Sequence, residues 1–334
     1  MKKNKFLFCI GLLLTVATIV NAQSVTWISS TEGNVWQKSK VKLQSKSEQN
    51  PVLQVDGTEN GVAFKNWGTT FNELCWDALG LLTRTEQDEI LYNIFSPQGD
   101  LRITRGRISM GANDYARSWY SCDEVEGDFE LRYFNINRDK QTIIPFIRAA
   151  QKYNPNLTFW ISPWCPPSWM KINGDYPVLS SPFNSLSEKQ NYLLYGATGG
   201  QVDENEMKLT GARDGVFPRQ LATTDFMIQD PRYLQTYADY FCRFIDAYKE
   251  QGIPIDMVMY QNEAYSYTPY PGCAWTATGT IRFNKEYLAP TLRQMHPEVK
   301  LYLGTFNTNR QDHVETILAD TALCLSLIHI SEPT

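Results

Sequence analysis

Glu263 closes an apolar, strand-like run, Ile255 to Glu263 (IDMVMYQNE), and is preceded by the amide Asn262. A buried parallel strand is nearly all hydrophobic, so a carboxylate at its end sits where the chain leaves the core and can exchange protons. Two other strand-like runs end in the same way. Leu101 to Met110 contains Arg107 and leads into Asp114 and Tyr115, and Leu157 to Ser162 leads into Trp164 and Trp169. Tyr265, Tyr267, Tyr270 and Trp275 follow Glu263. Aromatic faces cover the C–H surface of a pyranose, and Asp, Asn and Arg hydrogen-bond its hydroxyls. Taken singly, the glutamate reads as a surface or cap residue and each aromatic as core; clustering at successive strand ends points to a carbohydrate site. The other chemistries lack their residues. The three histidines, His296, His313 and His329, are scattered, and the cysteines show no CxxC spacing. Neither a metal site nor a Ser-His-Asp triad is indicated, and no cofactor is implied.

The elements that must position these residues alternate between helix and strand. Asp230 is an N-cap, Pro231 suits the first helical position and Gly252 follows the last periodic residue, so a helix leads back to the strand at Ile255. Thr83 with Glu86 forms a capping box for a helix through Phe95. Asp139 to Tyr153 reads as a further helix, and Arg282 to Met295 as another that kinks at Pro290, before a strand from Leu301 to Phe306. Strands separated by helices predict an α/β fold with a parallel sheet. Residues 24–60 lie outside this rhythm, with short β pieces around Val25 to Ile28, Val41 to Leu43 and Val52 to Val55. The polar stretch from Asn173 to Thr224 is long for a loop, and either overhangs the active face or forms a surface insertion.

Composition sets the outer limits. A chain of 334 residues, 43% hydrophobic, can build a large core, and a net charge of −5 with a pI near 5.4 offers no footprint for nucleic acid. Lys2, Lys3 and Lys5 precede the apolar run Phe6 to Val20, and Val20-Asn21-Ala22 supplies small residues for cleavage. Residues 1–22 therefore read as a signal peptide cut after Ala22, giving a secreted or periplasmic protein without stable membrane insertion. Removing the three lysines takes the charge to −5 − 3 = −8.

The segments FNELCWDAL, RISMGANDYARSWYS, SPWCPPSWMK and QNEAYSYTPYPGCAW, in this order, resemble glycoside hydrolase family 30, which includes a lysosomal glucosylceramidase and bacterial relatives. The resemblance implies a (β/α)8 TIM barrel, here truncated after about five strands, with amino-terminal strands of an attached β-sandwich. It divides the chain into a β-strand segment at 23–60, a partial barrel at 61–322 and a tail at 325–334 that resembles translated sequencing-library adapter. It also implies roles. Glu263 would be the general acid/base of a retaining β-glycosidase and Asn262 a ligand of the sugar 2-hydroxyl. Asp114 and Trp164 would contact the sugar, and Arg107 would lie near the nucleophile. Tyr115, Trp169, Tyr265 and Trp275 are further candidates for substrate contact. Ala264 stands where the family usually has proline.

The family's nucleophile is a glutamate on the seventh strand, which this chain is expected to lack. On that expectation, residues 23–322 alone neither hydrolyse an aryl β-glucoside nor melt cooperatively, since open barrel edges aggregate. The implied substrates are carbohydrate or glycolipid: a glucosylceramide-like β-glucoside, a β-1,6-glucan, or a xylose- or fucose-containing glycan. A non-catalytic secreted carbohydrate-binding protein is the alternative.

Overall fold

The computed structural model describes residues 24–42, 66–186, 225–264, 266, 268–303, 305 and 311–326. The expected signal peptide, the piece at Val52 to Val55, most of the polar stretch after Asn173, Tyr265, Tyr267 and residues 327–334 lie outside them. The chain divides into two compact units, Met1–Ala63 and Phe64–Thr334. No described helix is long and apolar enough to cross a membrane.

In the first unit β1 (Ser24–Thr31) and β2 (Asn34–Lys42) pair antiparallel, with Val25 opposite Val41. Gly33 supplies the left-handed turn at φ +81°. The hairpin joins two of the β pieces expected from sequence and carries β2 further upstream than its apolar residues suggest.

The second unit is built on a parallel sheet of five strands: β3 (Gly68–Phe71), β4 (Arg105–Ser109), β5 (Thr158–Ser162), β6 (Ile255–Met259) and β7 (Lys300–Tyr302). They lie side by side in chain order. This is the winding of a partial (β/α) barrel, because each crossover advances one strand in the same sense. The helices between them are α1 (Glu73–Gly80), α2 (Arg84–Phe95), α3 (Ile143–Gln151), α4 (Pro231–Glu250), α5 (Ala277–Arg282) and α6 (Ala289–Met295). After β7 come α7 (Gln311–Leu318) and α8 (Thr321–Ser326).

Local chemistry sets the helix ends. The Thr83–Glu86 capping box opens α2, and the Asp230 carboxylate accepts from the Arg232 amide at 2.8 Å to open α4. Gly252, at φ +73°, turns the chain from α4 toward β6. Helix α4 packs through Leu234, Tyr237, Phe241, Phe244 and Tyr248, all fully buried at helical spacing. On the helix side of the sheet, Phe71 stacks on Phe95 of α2 and meets Phe146 of α3 edge-on. Gly106 makes this packing fit: a Cβ there would lie 2.5 Å from the Phe71 ring and 2.9 Å from Phe159. Alternation sends Arg105 and Arg107 of β4, with Thr158 and Trp160 of β5, to the opposite, inner face. There Arg105 bridges Asp256 of β6 across Thr158.

Several boundaries differ from the sequence reading, among them that of β7, expected over Leu301 to Phe306 and found at Lys300–Tyr302. The strand expected over Leu101 to Met110 begins only at Arg105, because Leu101 and Ile103 donate their amides to carbonyls at the end of α2, and Arg102 turns at φ +53°. The helix expected from Arg282 starts earlier, at Ala277, where Thr276 caps the Gly279 amide. Where a kink at Pro290 is expected, the helix passes through a π segment, Phe283–Leu288, whose wider turn accommodates a residue with no N–H and a ring that crowds the carbonyl four positions back. The strand expected to reach Glu263 stops at Met259.

Candidate active site

The carboxyl ends of β4, β5 and β6 converge on Arg107. Its guanidinium donates twice to the Ser162 hydroxyl, at 3.0 and 2.7 Å, and once to Asn262 Oδ1 at 2.5 Å. It lies 4.1 Å from the centre of the Trp164 ring and 4.9 Å from that of Trp160. One cation thus ties the three strand ends together and covers two indoles, worth about 0.5 to 2 kcal/mol per contact depending on desolvation.

Beyond Met259 the chain leaves the sheet because Tyr260 turns outward into a core of Trp275 and Phe283. Gln261 is fully buried, and Asn262 pairs with Thr305 in a short parallel bridge beyond β7. Glu263 then adopts a left-handed backbone, φ +49°, with its amide donating to the Thr305 hydroxyl at 3.1 Å. The Ser266 hydroxyl donates to Glu263 Oε2 at 3.1 Å. A small cleft at these strand ends is lined by Trp164, Asn262, Glu263, Ser266, Thr268, Tyr270, Pro271 and Gly272.

The charges of the cleft are mutually visible. Burial lowers the Arg107 pKa to about 10, opposed by the negative charges of Glu263 and Asp114. Loss of water pushes the Asp114 carboxyl upward, and the Glu263 charge adds to this while its own backbone amide and Arg107 oppose it. The Tyr270 hydroxyl is likewise raised, first by burial and then by Glu263 and Asp114. Two carboxyls and a phenol therefore share one small volume with a single guanidinium.

The loop carrying Asp114 is fixed from behind. Glu73, buried at the start of α1, accepts from the Arg138 guanidinium at 2.8 and 2.6 Å and from the Arg117 amide at 2.8 Å. Burial opposes its charge, yet these donors hold its carboxyl below the usual range. Next to Arg138, fully buried Asp139 accepts hydroxyls from Tyr120 at 2.7 Å and Tyr248 at 2.6 Å, while burial raises its pKa to about 6.

Of the residues singled out from sequence, the fold brings Arg107, Trp164, Asn262 and Glu263 into contact, with Asp114 electrostatically coupled to them. Tyr115 stands beside Asp114 and is 55% exposed. Tyr265 lies outside the described residues. Trp169 is elsewhere: it is buried against Phe129 and Tyr233, with its indole N–H on the Asp123 carbonyl. Trp275 is also core, 1% exposed and stacked on Phe283. Sequence reasoning did not single out Gln261, Ser266 or Thr305. Gln261 and Ser266 flank the NE pair in the chain, whereas Thr305 is recognisable only once β7 is laid beside β6.

Residues 64–181 match the glycosyl hydrolase family 30 TIM-barrel domain. Among curated relatives, a putative glucosylceramidase of Caenorhabditis elegans is 27% identical over 294 residues, 84% of this chain and 47% of its own length. An endo-1,6-β-D-glucanase of Aspergillus fumigatus is 24% identical over 278 residues, 81% of this chain and 50% of its own length. The chain thus spans about half the length of these relatives. The crystal structure of SrfJ from Salmonella typhimurium superposes with a TM-score of 0.63 at 19% identity, covering 90% of this chain and 58% of that one, and so shares the fold. Together these findings support assigning this chain to glycosyl hydrolase family 30.

Proposed function

We propose that this chain contributes the acid/base side of the active site of a secreted retaining β-glycosidase. The observation that carries the reading is the Arg107 clamp, which sets Trp164, Asn262 and Glu263 around one cleft. A guanidinium can only donate, so Asn262 turns its oxygen to Arg107 and leaves its amide N–H groups for a sugar hydroxyl. Trp164 offers an apolar wall for the ring, and Asp114, coupled electrostatically to Arg107 and Glu263, a hydrogen-bond acceptor.

Glu263, steadied by Ser266, protonates the glycosidic oxygen as the bond to the aglycone breaks, and then takes a proton from the water that releases the sugar. The second step presumes a glycosyl-enzyme on a nucleophilic carboxylate, which in retaining enzymes lies roughly 5 to 5.5 Å from the acid. The family resemblance puts that nucleophile on a seventh barrel strand, and no residue of this chain is given the role. The names of the relatives point to β-glucosides, either a glucosylceramide-like lipid or a β-1,6-glucan. The amino-terminal leader favours the extracellular polysaccharide.

The test is hydrolysis of an aryl β-glucoside and of β-1,6-glucan by the complete gene product and its Glu263→Gln variant. Loss of a general acid lowers turnover by about 10²- to 10⁴-fold, and azide restores turnover of an activated aryl glucoside as the β-glycosyl azide. Unchanged turnover in the variant sinks the assignment.

A further inference from the structure

Gln261 touches no open space, yet its amide ties two cleft residues, Trp164 and Asn262, to the buried Trp275. Both of its amide N–H groups are used: Nε2 donates to the Trp164 carbonyl at 2.7 Å and to the Asn262 carbonyl at 2.9 Å. Its Oε1 accepts the Trp275 indole N–H at 3.2 Å. Trp275 is held in turn, stacked on Phe283 with centroids 5.2 Å apart and edge-on to Tyr260 at 5.6 Å. The Trp275 backbone amide also donates to the Ala264 carbonyl at 2.8 Å, next to Glu263.

A leucine or methionine would fill the Gln261 site without the cost of burying an amide, which is recovered only when every donor and acceptor is satisfied. The amide sets direction where an apolar side chain would set only volume. Trp164 stands on the loop after β5, and Asn262 and Glu263 on the loop after β6; besides Gln261 and the Arg107 clamp, the backbone bond from the Asn262 amide to the Pro163 carbonyl at 2.7 Å joins them.

We infer that Gln261 and Trp275 are paired positioning residues, a carboxamide strut seated on a buried indole, which fixes the distance between the sugar-stacking wall and the acid/base pair. The inference rests on the sugar-site reading and goes beyond it in giving Trp275 a role that requires no substrate contact.

The test compares Gln261→Met, which keeps length and removes every side-chain hydrogen bond, with Trp275→Phe, which keeps an aromatic six-membered ring and removes the indole donor. Tyr260→Phe is the control: it deletes the neighbouring buried hydroxyl contact to Thr280, 2.7 Å long, without touching the strut. The complete gene product, ¹⁵N-labelled at tryptophan, is followed through its indole resonances and titrated calorimetrically with a gluco-configured iminosugar. The Trp164 indole resonance is expected to move in Gln261→Met and Trp275→Phe and to stay in place in Tyr260→Phe. Iminosugar affinity should fall about fivefold in the two strut variants, the loss of one net hydrogen bond. A Trp164 resonance unmoved by either strut variant, or moved equally by the control, overturns the inference and leaves Gln261 as packing. If the unaltered protein binds no iminosugar, the sugar-site reading fails, while the resonances still decide whether the strut exists.

Discussion

Two groups of carboxylates stand on either side of the loop that follows β4, and they are treated differently by their neighbours. Behind the loop, Glu73 receives three N–H donors and Asp139 two hydroxyls, so each is enclosed by partners that fix its position. In front of it, Glu263 and Asp114 face a guanidinium whose strong hydrogen bonds go to Ser162 and Asn262. Arg107 supplies positive potential to both cleft carboxyls while its bonds fix the scaffold. The difference is that the carboxyls behind the loop are positioned by several direct donors each, whereas those of the cleft also lie in the field of a guanidinium whose own hydrogen bonds go to the scaffold. On the proposed reading, that field is what a proton-exchanging carboxyl needs.

The comparison can be broken by showing that either group behaves like the other. The largest expected effect is that of Glu263→Gln, a loss of about 10³-fold in β-glucoside turnover with a urea midpoint near that of the unaltered protein. Next is Arg138→Met, which strands the buried Glu73 charge; urea titration should show a loss of about 3 kcal/mol, with the KM of surviving protein little changed. Arg107→Lys keeps the charge but cannot reproduce the planar fork, and kcat/KM should drop about tenfold with a smaller change in stability.

The smallest effect is a slope. Asp139 binds its proton more tightly in the folded state, with a pKa raised from 3.8 to about 6, so its contribution is fully present below the unfolded value and is lost as pH rises to about 6. Asp139→Asn should flatten that fall in urea midpoints measured between pH 4 and 7. Glu73, with its pKa lowered, acts in the opposite sense, and its stabilisation is lost as pH falls through the folded value. A pH profile unchanged in Asp139→Asn would remove Asp139 from the first group.

The sequence was most legible where a side chain closes on its own backbone. The Thr83–Glu86 box and the Asp230, Pro231 and Gly252 signals locate α2 and α4 because all the partners are within a few residues. It was least legible where the partner is distant. The four-residue β3 shows no usable periodicity, and α1 inside FNELCWDAL is announced only by Asn72, whose side chain accepts from the Cys75 amide. Trp275 and Trp164 look alike in the chain, both beside turn residues after a strand. One meets Gln261 and Phe283 and becomes core; the other meets Arg107 and lines the cleft. Arg107, Trp164, Asn262 and Glu263, expected at neighbouring strand ends from sequence, do lie together with Asp114 coupled to them electrostatically, whereas the contacts of Thr305 and Ser162 depend on strand register.

Glu263 sits in a backbone region that costs a residue with a Cβ about 1 to 2 kcal/mol. Glycine would adopt the same turn without that strain, so Glu263→Gly should raise the melting temperature while abolishing acid/base chemistry. On the proposed acid/base role, stability and activity pull in opposite directions at this position, and a library screened only for thermal tolerance would discard the glutamate.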